Sequence, residues 1–260
     1  MRELERDSLP THLSAGPLVV VGRGRVGGSL SKAAERVGID VRTAGRDEAV
    51  DGAGAILLCV PDDAITEVCG RIAAAAPPLV GHVSGASSLD ALAPARECGA
   101  STFSLHPLQT FAFDETPIEG TPAAIAGSDE AGISFARSLA ESLGLRPFEV
   151  PEESRAAYHA AAAMASNLLI ALEESAAELV ERLGVEDARE LLAPLVLRTA
   201  ANWAERGPAA LTGPIARGDR ATVERHRAAL AETAPELLPT YDALAARAEA
   251  LAGKSVEASA

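Results

Sequence analysis

The chain has 260 residues, 48% of them hydrophobic, enough for two modest domains with their own cores. Its formal net charge is −14 and it contains no basic block, which argues against nucleic acid as a partner. No apolar segment approaches the roughly 18 residues that a membrane span needs, so no membrane association is expected.

Residues 1–16, with Glu3, Glu5 and Asp7, lack the apolar centre of a secretory signal and read as a flexible extension. Leu18 to Val21 is an apolar run with the β-branched content of a strand buried on both faces. It leads directly into Gly22-x-Gly24-x-x-Gly27 and a helical stretch from Ser29 to Val37. Gly22 permits the tight turn, Gly24 lets a pyrophosphate approach the backbone, and Gly27 lets strand and helix pack closely. The helix N-terminus then offers oriented N–H groups to the anion. Gly22, Arg23, Gly24, Arg25, Val26 and Gly27 are therefore the expected cofactor loop.

The second strand, Asp40 to Ala44, ends at Gly45-Arg46. A guanidinium at that strand end suits a ribose 2′-phosphate, so Arg46 points to NADP rather than NAD. Asp47 takes the carboxylate role of an NAD site if the register slips by one. Ala55 to Val60 is a third strand, with Cys59 as a small core residue, stopped by Pro61-Asp62-Asp63. Val60 and Pro61 belong to the expected cofactor site, and either aspartate is a candidate cap for a helix from Ile65 to Ala74. Leu79 to Val83 is a fourth strand ending at Ser84-Gly85, Ser101 to Leu105 a fifth ending at His106-Pro107, and Ala123 to Ala126 a sixth. Gly132 to Leu143 reads as helix and Arg146 to Val150 as the last strand.

After Pro151 no strand pattern remains. Glu152 to Leu183 reads as one alanine-rich helix, with later breaks at Pro194, Gly207-Pro208 and Gly213-Pro214, and Lys254 to Ala260 as a frayed tail. The fold class is thus α/β: a doubly wound, mainly parallel sheet over residues 17–150, then an all-helical domain over 151–260. The smooth, aromatic-poor helices suit a homodimer interface. Cys59, Cys69 and Cys98 are odd in number and lack metal-ligand spacing, so no metal site and a reducing cytoplasm are expected.

In open parallel sheets ligands bind beyond the carboxyl ends of the strands, where Ser84 and His106 stand here. On the long predicted helix, His159, Ala163 and Asn167 share one face at i, i+4 and i+8. Carbonyl reduction needs a proton donor and an anchor for the substrate. The chain contains only Lys32 and Lys254, in the first helix and the tail, which leaves histidine as the acid. His106 and His159 are the candidates, with His82 and His226 behind them. Ser84, Asn202 and Arg217 are the expected substrate-binding residues, Ser84 alternatively serving the nicotinamide amide or a helix cap. Asp219 is expected to cap the helix from Arg220.

Several of these elements together resemble a known group. They are the glycine loop, Val83-Ser84-Gly85, Leu105-His106-Pro107-Leu108-Gln109-Thr110-Phe111, Tyr158-His159 with Ser166-Asn167, and Thr212-Gly213-Pro214 with Arg217-Gly218-Asp219. The chain is similar in these to Rossmann-like and DUF2520 proteins of the 6-phosphogluconate dehydrogenase-like superfamily. Relatives there include pyrroline-5-carboxylate reductase, F420-dependent NADP reductase and ketopantoate reductase. The resemblance implies an N-terminal NAD(P) domain, a dimerising helical C-terminal domain, and 2-dehydropantoate as the first candidate among small 2-oxo acid substrates. The superfamily's hydroxyacid dehydrogenases carry Lys-x-x-x-Asn on the long helix. Asn167 is present here, but Ala163 stands at the lysine position. The expected mechanism therefore has His159 or His106 protonating the carbonyl oxygen while Arg217 or Asn167 orients the substrate. An imine reductase and a non-catalytic dinucleotide-binding regulator are the competing readings.

Overall fold

The structure is a computed structural model that describes residues 16–113 and 115–257. Most of the expected N-terminal extension and the last residues of the expected tail lie outside that description. The chain divides into two compact units, Met1–Met164 and Ala165–Ala260.

The first unit is built on a seven-stranded sheet. Its strands are β1 (Leu18–Val21), β2 (Val41–Ala44), β3 (Ala55–Leu58), β4 (Leu79–His82), β5 (Ser101–Pro107), β6 (Pro122–Gly127) and β7 (Arg146–Glu149), in the spatial order β2-β1-β3-β4-β5-β6-β7. All pairs are parallel except β5 with β6. The antiparallel pair follows from the connection Leu108–Thr121, which carries no crossover helix among its described residues. β1, β3 and β4 are buried at every position because helices cover both faces, which is why they read as unbroken apolar runs. The edge strands differ: β2 exposes Arg42 and Thr43, and β7 tolerates Pro147 because one side of its ladder is free.

Helices α1 (Arg25–Arg36), α2 (Ile65–Ala73), α3 (Ala93–Glu97), α4 (Glu130–Ser142) and α5 (Arg155–Met164) complete this unit. Leu18, Val20, Leu57, Phe103, Leu105 and Ile125 face one buried layer with residues of α1 and α4. Val19, Val21, Ile56, Leu58 and Val80 face the other with residues of α2 and α3. Asp129 caps α4 by accepting from the Gly132 N–H at 2.8 Å. Neither Asp62 nor Asp63 caps α2 as expected: both lie in a 3₁₀ turn, and the residue before α2 is Ala64.

The second unit contains only helices among its described residues: α6 (Asn167–Arg182), α7 (Ala188–Arg206), α8 (Gly213–Ala216), α9 (Arg220–Thr233) and α10 (Leu238–Glu257). Asp219 caps α9 through the Thr222 N–H, as its position implied. Two sequence expectations need correction. The single helix from Glu152 to Leu183 is divided, because Ser166 leaves the helical region at φ −132°, ψ −86°. Ser and Asn side chains compete for nearby backbone groups, and here they stand together at the break. Pro194 does not end a helix either. It lies inside α7, where it removes one backbone hydrogen bond, and good helix formers carry the helix on past it. Composition changes at Pro151, yet packing divides the chain at Met164, since α5 is anchored to the sheet by its buried first residue, Arg155. No described helix is long and apolar enough to cross a membrane.

Candidate functional site

The strand order reverses at β1, and the loops after β1 and β3 flank that switch point. Gly22 sits at φ +121°, and a Cβ there would lie 2.2 Å from the Cys59 carbonyl oxygen. At Gly27 a Cβ would lie 2.0 Å from the Gly22 carbonyl oxygen, so both positions require glycine for packing. Gly24 is different: a Cβ there would meet nothing within 4 Å. The loop is thus tight against the protein at two glycines and open at the third. Gly24 is also the N-cap of α1, with no side-chain cap and no acidic residue in the first turn. These free N–H groups and the positive end of the helix dipole face that open space. The arrangement fits a pyrophosphate.

Beyond β2 the charges are sorted. Arg23 donates to Glu48 at 2.6 Å, and Arg71 pairs with Asp47. The backbone at Gly45 and the Arg23 guanidinium hold the exposed Glu48 carboxyl below its ordinary range. The side chains of Arg46 and Arg25 remain exposed, without a hydrogen bond or ion pair to the described residues. Arg23, expected to meet the cofactor, is paired with Glu48, and Asp47 with Arg71. Of the arginines at this end of the sheet, Arg46 is the one at the β2 end whose side chain is not so engaged.

A cleft of about 250 Å³ opens at the carboxyl ends of β3, β4 and β5. Val26 of α1, Val60, Asp62, Ser84, His106 and His159 line it, joined by Gln109 and Phe111 of the β5–β6 connection. Pro61, at the same strand end, is exposed and is not among its lining residues. Glycine is required again at Gly85, where a Cβ would lie 2.7 Å from His106 Nε2 and 2.8 Å from His159 Cδ2. Both imidazoles therefore close over the Gly85 backbone. His106 Nδ1 lies 2.7 Å from the Tyr158 hydroxyl, a bond the phenol donates when the ring carries its proton on Nε2. The rings of His106 and His159 stand edge to face with centroids 6.0 Å apart.

Burial, then the neighbouring His159 and Arg155, push His106 down to about 4. His106 is therefore neutral at pH 7, so any proton it gives comes from the neutral imidazole. Burial pushes the Tyr158 phenol up, and Arg155 opposes that shift. His82 is fully buried and pushed down to about 4, again chiefly by burial. It faces the same layer as Ser104 and His106, with its Nδ1 left without a partner. The Ser84 hydroxyl accepts from Ala86 N at 3.2 Å and Ser87 N at 2.9 Å, which holds the turn after β4, while Ser84 also lines the cleft.

The residues expected to bind substrate from the helical region lie in the second unit. Asn167 opens α6 and accepts from the Ser166 hydroxyl at 3.1 Å, so it does not continue the helical face of His159 and Ala163. Asn202 is exposed on α7, and Arg217 is exposed just after α8. Lys32, excluded as an acid on sequence grounds, is paired with Glu115.

Sequence reasoning missed Arg155 and Glu152. Arg155 is only 2% exposed and is the largest fully buried side chain. It donates to the Ser84 carbonyl at 3.3 Å, the Ser104 hydroxyl at 2.6 Å and Glu152 Oε1 at 2.9 Å. The second oxygen of Glu152 accepts from the Leu89 N–H at 2.9 Å. The only sequence signal was an arginine in line with Tyr158 and His159 at i, i+3 and i+4.

The comparisons with known proteins agree with this architecture. A protein from Bacteroides fragilis described as a candidate NADP oxidoreductase is 22% identical, covering 91% of this chain and 99% of its own, with a TM-score of 0.75. A Thermotoga maritima protein is 23% identical over 92% of this chain and 99% of its own, with a TM-score of 0.73. Reductive aminase from Aspergillus terreus, solved with NADPH and ethyl-5-oxohexanoate, is 17% identical over 90% and 93% of the two chains, with a TM-score of 0.63. At these identities the likeness is one of fold. No curated protein sequence matches the chain. Residues 39–107 match the Rossmann-like domain, and residues 121–248 match DUF2520, a domain of unknown function. This chain is therefore a protein of the Rossmann-like and DUF2520 type.

Proposed function

We propose that this protein is an NADP-dependent oxidoreductase that reduces the carbonyl of a small 2-oxo acid, with 2-dehydropantoate as the first substrate to test. One observation carries the reading: a neutral imidazole backed by a tyrosine opens into the same cleft as the first turn of the glycine-loop helix. Gly22, Gly24, Gly27 and the start of α1 would hold the pyrophosphate, and Arg46 the 2′-phosphate. Bound NADPH supplies the hydride. His106 then acts as an electrophile, its Nε2–H donating to the oxygen as negative charge develops there. Tyr158 fixes the tautomer by donating to Nδ1, and His159 closes the opposite side over Gly85. Asn167, Asn202 and Arg217 of the second unit remain proposed substrate contacts, Arg217 for the carboxylate. The fold likeness to NADP- and NADPH-linked proteins supports the cofactor assignment. The three free thiols suit a reducing cytoplasm, and the exposed apolar faces of α6 and α7 suit a homodimer.

A second reading, reduction of a C=N bond, draws on the charge of the cleft. Its lining contains the Asp62 carboxylate and neither lysine nor arginine. A carboxylate and two imidazoles favour a cationic iminium, which also needs a weaker acid than a carbonyl does.

The test is NADPH oxidation with 2-dehydropantoate, other 2-oxo acids and cyclic imines, each repeated with His106→Gln. Turnover of a 2-oxo acid that falls by about 10²- to 10⁴-fold in His106→Gln, with NADPH affinity unchanged, is the expected result. Turnover of imines alone selects the second reading. NADPH binding without turnover of any substrate contradicts both and favours a non-catalytic cofactor sensor.

A further inference from the structure

Arg155 stands beneath the imidazoles, on the sheet face shared by His82, Ser104 and His106. A guanidinium buried to this degree is costly unless it is fully hydrogen-bonded. Here it is bonded to Glu152, to the Ser84 carbonyl and to the Ser104 hydroxyl. Two of those contacts tie it to the segments that aim the site. Ser84 precedes Gly85, over which the imidazoles close, and Ser104 is two residues before His106 on β5. A strut alone needs no charge, since a neutral donor could make both bonds. What the charge adds depends on its neighbours, Tyr158 and His159, which project from the same helix face as Arg155.

We propose that Arg155 is a positioning residue whose fixed positive charge poises the His106–Tyr158 pair to release a proton. The proposal rests on the functional reading above. When the Nε2–H bond of His106 breaks, an O–H bond forms on the substrate. The Tyr158 proton moves to Nδ1, and when water later reprotonates Nε2 the Nδ1 proton returns to the phenolate. During that interval the pair carries one negative charge in a buried place, and Arg155 is the cation already there to meet it. Both of its effects run the same way: the guanidinium disfavours imidazolium at His106 and favours phenolate at Tyr158. The other charged or titratable groups acting on His106 are His159 on α5, Asp62 after β3 and His82 on β4. Asp62 alone favours imidazolium.

The experiment is a ¹⁵N NMR titration of the histidine side chains, assigned with His106→Gln and His159→Gln, which needs no substrate. In the wild type His106 is expected to be neutral at pH 6, with its hydrogen on Nε2. In Arg155→Met/Glu152→Gln, which removes the ion pair while keeping an acceptor for Leu89, His106 is expected to titrate about one unit or more higher. Arg155→Gln keeps donors for Ser84 and Ser104 without the charge and is expected to give the same upward shift. With a turned-over substrate, kcat falls about 10- to 100-fold in both variants while the KM for NADPH stays within twofold. An imidazolium at pH 6 in the wild type overturns the proposal whether or not either variant folds. An unmoved His106 titration in a folded variant overturns it as well and leaves Arg155 a strut. Failure to find turnover contradicts the proposed function alone, because the titration reads Arg155 without it.

Discussion

Two histidines set the character of the site. His82 and His106 are each held near 4 in the folded chain, burial being the largest cause for both. An unfolded histidine titrates near 6.5, so between about 6.5 and 4 the unfolded chain binds more protons than the folded one. The depressed values therefore contribute stability above pH 6.5 that is lost as the pH falls toward 4. Each histidine contributes a slope of at most about 1.4 kcal/mol per pH unit within that window. Urea unfolding is expected to be independent of pH between 7 and 8, to weaken below 6.5, and to weaken about half as steeply in His106→Gln. Equal slopes in wild type and variant would contradict the neutral assignment. The candidate histidine was legible in the sequence because Pro107 marked a strand end. Its charge state was not, because burial and a nearby buried arginine are tertiary facts. Arg155 itself looks like any solvated arginine in the first turn of a helix.

At the scale of elements, all seven strands were legible: β1, β3 and β4 as apolar runs covered on both faces, and the edge strands β2 and β7 from their place in the alternation of strand and helix. The interruption at Ala165–Ser166 was hidden because alanine-rich sequence continues across it. Pro194 misled in the opposite sense, because helix propensity on either side outweighed one lost hydrogen bond. The glycine loop yields a sharper expectation. Gly24→Ala places a methyl group in open space and should cost no more than about 1 kcal/mol of stability, the scale of an N-cap substitution. The same methyl group lies where the pyrophosphate is proposed to approach, so NADPH affinity should fall at least tenfold. Gly27→Ala drives its methyl group to 2.0 Å from a backbone oxygen and should destabilise the fold by about 1–3 kcal/mol. Thermal unfolding with NADPH titration separates the two. Loss of fold in Gly24→Ala would refute the open cradle.

For the whole molecule, the second unit leaves a large apolar surface uncovered. Leu168 and Ile170 on α6 and Leu191, Leu195, Leu197 and Trp203 on α7 are each at least 58% exposed. A cavity of about 350 Å³ lined by Leu169, Leu192 and Val196 lies on the same two helices. Exposed apolar patches of this kind mark interfaces, and the proposed homodimer accounts for them. Sedimentation velocity should show a dimer at micromolar concentration, and Leu191→Glu/Leu195→Glu should yield a folded monomer. A wild-type monomer across that range would remove the dimer from the account.

The central claim is that the first unit holds NADP, with Arg46 reading the 2′-phosphate. Titration of NADPH and NADH fluorescence with the purified protein and with Arg46→Ala tests it directly. Charge-assisted hydrogen bonds are worth about 1.5–3 kcal/mol, so the wild type should bind NADPH about 10- to 100-fold more tightly than NADH, and Arg46→Ala should remove that preference. Equal affinity for the two cofactors, or an unchanged preference in Arg46→Ala, would contradict it.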